Sequence, residues 1–111
     1  MRCLMKVTLP TLEGNAAITD GSFPSTMKSI LDDLKPEAAY FTEDNGARTA
    51  LLFVNMENSS QIPAMAEPWF LAFNAKVEFR PAMNLEDLQN AGPSMERAVK
   101  KYARAARAAS A

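Results

Sequence analysis

The sequence of 111 residues contains no histidine and a single cysteine, Cys3. One cysteine excludes an internal disulfide framework, and its place on the apolar side of an alternating segment predicts an inert buried thiol. Histidine is the commonest metal ligand and general base, so zinc, haem and triad chemistries lose their usual residue. The acidic residues Asp32, Asp33 and Glu37 lie at a predicted helix end, which is typical of solvated charge. We therefore predict no metal and no cofactor.

The sequence also lacks an excess of either positive or negative charge. Twelve basic and thirteen acidic residues give a net charge of −1, so no overall field attracts a polyanion. Five basic residues near the C-terminus fit a solvated helix face rather than a binding patch. They are Arg97, Lys100, Lys101, Arg104 and Arg107. We expect no nucleic-acid partner.

Long apolar segments are also missing. No apolar run approaches the ~20 residues that a membrane span needs. The first residues alternate and reach polar side chains by Thr8, which is too early for the apolar core of a signal peptide. We expect a cytoplasmic protein without a membrane partner.

The composition is that of an ordinary globular domain, with 48% hydrophobic and 23% charged residues. A chain of this length is expected to form one domain, because two would each lack an adequate core. We predict a single domain over residues 1–111. Its core spans residues 1–83, and a C-terminal helical extension spans residues 84–111.

Strands are predicted in four places. Residues 2–9 and 75–80 alternate between apolar and polar side chains, which is typical of half-buried strands. Residues 37–43 and 48–56 are β-rich and flank Asn45-Gly46. This dipeptide is the strongest short-range hairpin signal, because both turn positions need a positive φ.

Helical spacing of apolar residues separates these strands. Over residues 13–34 it is interrupted by Gly21 and Pro24, so we expect a short helix, a break and a firmer helix. Residues 61–74 predict a second helical segment, which Pro68 kinks or restarts. A C-terminal helix follows the last strand. The order β-α-β-β-α-β is that of a ferredoxin-like α+β domain with an antiparallel sheet.

The hairpin turn also predicts which side chains share a face of the sheet. A two-residue loop pairs Thr42 with Thr49, Tyr40 with Leu51, and Ala38 with Phe53. The opposite face of the hairpin is small and aliphatic and suits packing beneath helices. The remaining face, here called the open face, carries Lys6, Thr8, Tyr40, Thr42, Thr49, Leu51, Phe53, Asn55, Glu78 and Arg80. Its apolar members form a patch that soluble monomers avoid, so we expect a partner to cover it.

Three segments carry a resemblance to a known family: GNAAITDG (14–21), LKPEAAYFTEDNG (34–46) and EPWFLAFNA (67–75). Over about residues 1–103 the chain resembles a group of small bacterial proteins of the dimeric α+β barrel superfamily. The resemblance implies a homodimer that pairs sheet to sheet, with a small apolar pocket between sheet and helices. Members of this superfamily include cofactor-independent monooxygenases, lactone isomerases and haem-degrading enzymes. The fold selects none of these activities, and the histidine-dependent branches do not carry over.

The catalytic candidates are four polar residues of the open face: Tyr40, Asn55, Glu78 and Arg80. Arg80, or Lys6 on a neighbouring strand, could clamp a carboxylate or enolate while Glu78 acts as a base. The alternative is an ion-pair cluster at a dimer interface. Tyr40 could donate a proton or serve as an interface aromatic. Asn55 could polarise a carbonyl oxygen or satisfy the turn that follows its strand.

Aromatic residues of the second helical segment are candidates for ligand contact. Trp69 and Phe73 could form a wall over a planar ligand, or they could belong to the core. The predicted ligand-binding set is Lys6, Tyr40, Thr42, Trp69, Phe73 and Arg80. We expect a dimeric module that binds a small organic molecule or has a structural role. The alternative is a cofactor-independent enzyme, similar to a monooxygenase or isomerase, that acts on a small aromatic or enolic substrate.

Overall fold

Four antiparallel strands form one sheet in the computed structural model, which describes residues 1–103. The strands are β1 (Arg2–Thr8), β2 (Ala38–Asp44), β3 (Ala47–Asn55) and β4 (Lys76–Pro81). They lie in the spatial order β2-β3-β1-β4, so β1 and β3 are central. The predicted α+β class with an antiparallel sheet is therefore confirmed.

Helices connect the strands and follow the last of them. They are α1 (Thr11–Thr19), α2 (Phe23–Leu34), α3 (Ile62–Phe73), α4 (Leu85–Asn90) and α5 (Gly92–Ala98). A 3₁₀ turn over Ser59–Gln61 leads into α3, and a π-helical segment over Val99–Ala103 follows α5. The predicted break between a short and a firmer helix is confirmed, since α1 and α2 are separated at Gly21, whose φ is 80°.

The predicted hairpin is present in the expected register. Asn45 and Gly46 have φ angles of 51° and 79°, as a two-residue turn between twisted strands requires. Tyr40 pairs with Leu51, and the threonine pair and the Ala38–Phe53 pair also form as predicted. The turn chemistry therefore places alternate side chains on the two faces that the sequence indicated.

Pro68 does not restart the helix that contains it. Helix α3 runs through this residue without interruption and ends at Asn74, whose φ is 53°. The proline ring removes the N–H that would donate to the carbonyl of Ala64. Ala64 is exposed, so water can satisfy that carbonyl and the helix continues.

The core lies between one face of the sheet and helices α1 to α3. Trp69 and Phe73 are fully buried there, with ring centroids 6.3 Å apart. They pack against alternate residues of the central strands, which include Met5, Val7 and Leu52. Each of these side chains stabilises the fold by roughly 2–3 kcal/mol through burial. Cys3 is buried in the same layer, as predicted.

The chain after β4 forms a helical extension. Asn84 caps α4 reciprocally: its side chain accepts from the Asp87 N–H, and the Asp87 carboxylate accepts from the Asn84 N–H. Helix α5 begins at Gly92, close to Ser94, where the sequence predicts the start of a helix that runs to Ala109; residues 104–111 lie outside the described residues. Arg104 and Arg107 of the predicted basic face also lie outside them. Among residues 1–103, no helix has the length and apolar character to cross a membrane.

Candidate functional site

The open face brings the predicted site residues onto one side of the sheet without gathering them at one point. Tyr40, Leu51, Lys6 and Glu78 form a row that crosses all four strands. Tyr40 and Glu78 therefore lie on the two outer strands, three strand spacings or roughly 14 Å apart. One substrate molecule of a few ångströms could not reach both within a single chain.

Glu78 is held by cations of its own strand. Its carboxylate accepts a hydrogen bond from Arg80 Nη2 at 2.7 Å and lies 3.3 Å from Lys76 Nζ. These ion pairs lie within one strand, whereas the alternative that the sequence offered to a catalytic base is an ion-pair cluster at a dimer interface.

Lys6 is also occupied by a partner in the chain. Its ammonium group pairs with the carboxylate of Asp44 at the end of β2. The hydrogen bond from Lys6, and then its charge, lower the pKa of Asp44, with smaller effects from Lys76 and Arg80. Thr49 lies between the two partners in the register and is only 3% exposed, although it is on the open face. The Lys6–Asp44 pair therefore covers Thr49 on the open face, and the Lys6 ammonium does not point to a ligand.

Asn55 and the two aromatic candidates have local structural roles. The side-chain oxygen of Asn55 accepts a hydrogen bond of 2.9 Å from the N-terminal ammonium of Met1. Trp69 and Phe73 are fully buried core residues. The Trp69 indole N–H has no hydrogen-bond partner among those residues.

A cavity of about 330 Å³ opens on the other side of the sheet, between α2 and the β2–β3 hairpin. We call it the α2 cleft. Its lining residues are Leu9, Phe23, Met27, Phe41, Thr42, Arg48, Thr49 and Ala50. Phe41 forms the outer wall and is 58% exposed, which is unusual for a phenylalanine on the helix-covered side of a sheet. Thr42 is the member of the predicted ligand-binding set that lines this cleft.

The α2 cleft continues along the helix. A second groove shares Phe23, Met27 and Phe41 with it and extends past Leu31. Both parts are walled chiefly by apolar side chains, so the cleft offers an elongated apolar surface.

Arg48 lies at one end of the α2 cleft. Its Nη2 donates a hydrogen bond of 2.9 Å to the side-chain oxygen of Asn15 on α1. A Cβ at Gly14 would lie 2.7 Å from Nη1 of Arg48, so glycine allows the guanidinium to rest on the helix. Glu43 faces Arg48 in the ladder, but its carboxylate accepts from the Gly46 N–H.

The Arg48 guanidinium therefore retains donors for a ligand. It forms no salt bridge with any of residues 1–103, and a guanidinium carries five N–H donors. A planar fork of donors beside apolar walls is suited to a carboxylate with an apolar body.

The resemblance implied a small apolar pocket between sheet and helices, but the predicted ligand-binding set does not include Arg48, Phe23, Met27 or Phe41. A signal was nevertheless available, because the hairpin register places Arg48 on the face that helices cover. An arginine on that face has to reach the surface or meet a partner.

Comparison with protein-family models, curated proteins and solved structures gives no significant match to this chain. The assignment of a function therefore rests on the geometry described above. Within residues 1–103, no cluster of three or more carboxylate or thiol side chains could hold a metal ion.

Proposed function

We propose that the protein is a homodimeric module that binds a small organic anion in the α2 cleft. The observation that carries the proposal is an apolar cavity of about 330 Å³ with the guanidinium of Arg48 at its end, which forms no salt bridge within residues 1–103. This volume is at the lower end of the range for small-molecule sites, so the ligand is small. Its apolar part packs against Phe23, Met27 and Phe41, and its carboxylate accepts hydrogen bonds from Arg48.

The strand order supports the finer part of the fold assignment. In the order β2-β3-β1-β4, strand β3 lies between β1 and β2, which α1 and α2 connect. Strand β1 lies between β3 and β4, which α3 connects. This order supports the proposed split β-α-β arrangement of a ferredoxin-like domain. Together with the three resembling segments, it supports a place in the dimeric α+β barrel superfamily.

The open face supports the homodimer. Helices α1 to α3 leave this face uncovered, and it exposes Tyr40 beside the half-buried Leu4, Leu51 and Phe53. A flat sheet surface with apolar residues at its centre and charges at one side is self-complementary enough to pair with a second copy.

The enzyme alternative has less support. Its base, Glu78, is held by Arg80 and Lys76, and Tyr40 lies on the opposite edge of the sheet. Around the cavity of about 330 Å³ the lining includes the cation of Arg48 but no carboxylate, and the side chains of Thr42 and Thr49 belong to the open face. Such a lining favours binding over proton transfer.

Binding is tested with two acids and their neutral analogues. We would titrate the labelled protein with benzoate and hexanoate, and with benzamide and hexanamide as controls, while recording amide NMR spectra. The acids are expected to shift signals from α2 and β2 and to bind about tenfold or more tightly than the amides, because an ionic hydrogen bond contributes about 1.5–3 kcal/mol.

Arg48→Gln should abolish the preference for the acids. Arg80→Gln is the matched control, since it removes an arginine from the other face of the sheet and should leave binding unchanged. Equal binding of acids and amides, or shifts confined to the open face, would contradict the proposal. Native mass spectrometry of the same samples would report whether the protein is a dimer.

A further inference from the structure

The chain after β4 exposes a series of large apolar side chains. We call residues 85–103 the C-terminal arm. Its apolar stripe consists of Leu85, Leu88, Met95, Val99 and Tyr102, each between 45% and 69% exposed. These positions recur at alternating intervals of three and four residues when Gly92 is included, which is the repeat of a helix that packs against another helix.

The described chain does not cover this stripe. Within the described chain the arm contacts chiefly its own consecutive segments, and it makes no more than marginal contact with the sheet. An exposed apolar stripe of this length is a feature of interaction surfaces.

The charges of the arm indicate what covers it. Acidic residues lie at its start, Glu86 and Asp87, and basic residues lie at its end, Lys100 and Lys101. None of the four forms a salt bridge with residues 1–103. A surface that is acidic at one end and basic at the other is complementary to a second copy of itself in antiparallel orientation.

We propose that the arms of two protomers pack against each other in antiparallel orientation and form part of the dimer interface; this rests on the homodimer proposed above. In this pairing Leu85 lies opposite Tyr102 of the second copy, and Leu88 lies opposite Val99. The same register places Glu86 opposite Lys101. The apolar and charge patterns therefore agree on one alignment.

The area of the open face gives an independent reason for a second contact. Four strands of about seven residues on average cover roughly 19 by 23 Å, so pairing two open faces buries roughly 900 Å² in total. Stable dimers usually bury about 1,200–2,000 Å². Nineteen residues at the α-helical rise span at most about 28 Å, so a stripe about 10 Å wide adds up to roughly 560 Å² for the two arms together. The sum reaches the range of stable dimers.

Sedimentation equilibrium of the full-length protein at low ionic strength tests the pairing. Lys101→Glu places like charges opposite each other twice in the dimer and should weaken dimerisation about fivefold or more. The double variant Glu86→Lys/Lys101→Glu should restore the wild-type dissociation constant. The rescue would show that the two arms pair. Within a single arm the double variant is destabilising, because it places a basic residue near the start of the helix and an acidic residue near its end, against the helix dipole, so a local effect would not restore dimerisation.

Matched controls are available on the same molecule. Arg97→Glu makes the same change of charge on the arm, opposite the neutral Asn90, and should change the dissociation constant less than twofold. Leu88→Ser should weaken the dimer about tenfold, whereas Leu71→Ser, at an exposed leucine of α3, should not.

Each result supports or overturns the proposal. A dimer that responds to Phe53→Glu on the open face, but not to Lys101→Glu or Leu88→Ser, would retain the homodimer and overturn the role of the arm. A monomeric wild-type protein would overturn both, and the binding experiment on the α2 cleft would still stand alone. Weakening without rescue by the double variant would overturn the antiparallel register.

Discussion

Gly14 and Arg48 allow a direct test of the geometry at the end of the α2 cleft. An ideal Cβ on Gly14 would lie 2.7 Å from Nη1 of Arg48 and 3.6 Å from its Cζ. The nearest atoms all belong to this one side chain. Gly14→Ala should therefore push the guanidinium away from α1 and break its hydrogen bond to Asn15.

Two opposing effects set the stability of Gly14→Ala. Alanine is more favourable than glycine inside a helix by about 1 kcal/mol. Loss of the exposed hydrogen bond from Arg48 costs roughly 0.5–1 kcal/mol. The free energy of unfolding of Gly14→Ala should therefore lie within about 0.5 kcal/mol of the wild-type value. In an Arg48→Ala background the obstruction is gone, so the same substitution should stabilise the protein by about 1 kcal/mol.

The four proteins of this double-mutant cycle would be unfolded in urea at one protein concentration. The expected coupling energy between positions 14 and 48 is about 0.5–1 kcal/mol. If Gly14→Ala stabilised both backgrounds equally, the placement of Arg48 against α1 would be refuted. If it destabilised both, another group would have to occupy the space beside Gly14.

Two further predictions concern the core and the open face. Trp69→Ala should lower the free energy of unfolding by about 3–5 kcal/mol. Trp69→Phe should lower it by only about 1 kcal/mol, because the loss of packing is partly offset by removal of an N–H that has no acceptor. Equal losses for the two variants in urea unfolding would contradict this. Folding lowers the pKa of Asp44, so the stabilisation from its pair with Lys6 is present near neutral pH and is lost as the carboxylate is protonated on acidification. Lys6→Met should raise the pKa of Asp44 toward the ordinary value of about 3.9 in a carboxyl NMR titration, and an unchanged pKa would argue against the pair.

Much of the fold was predictable because short-range signals specify it. Asn45-Gly46 sets the hairpin register, since a slip of one residue would turn every apolar side chain to the wrong face. The break near Gly21 and the cap at Asn84 follow from the conformations and hydrogen bonds that these residues favour. At Pro68 the sequence predicted a kink or a restart and the structure shows no restart, because a local rule cannot tell whether water will satisfy the freed carbonyl.

Short-range sequence signals could not predict the α2 cleft, because residues from distant parts of the chain form it. Phe23 belongs to α2, Phe41 to β2 and Arg48 to β3, and the cavity exists where the helix diverges from the two strands. Alternation assigned Arg48 to the helix-covered face, but only the approach of α1 at Gly14 shows where the guanidinium rests.

The same division holds for the predicted catalytic residues. Alternation correctly placed Tyr40, Asn55, Glu78 and Arg80 on one face, yet the strand order separates Tyr40 from Glu78 by the width of the sheet. A period of two residues specifies the side of a strand. The distance between side chains on different strands depends instead on which strands become neighbours, and that is decided by long-range packing of the whole chain.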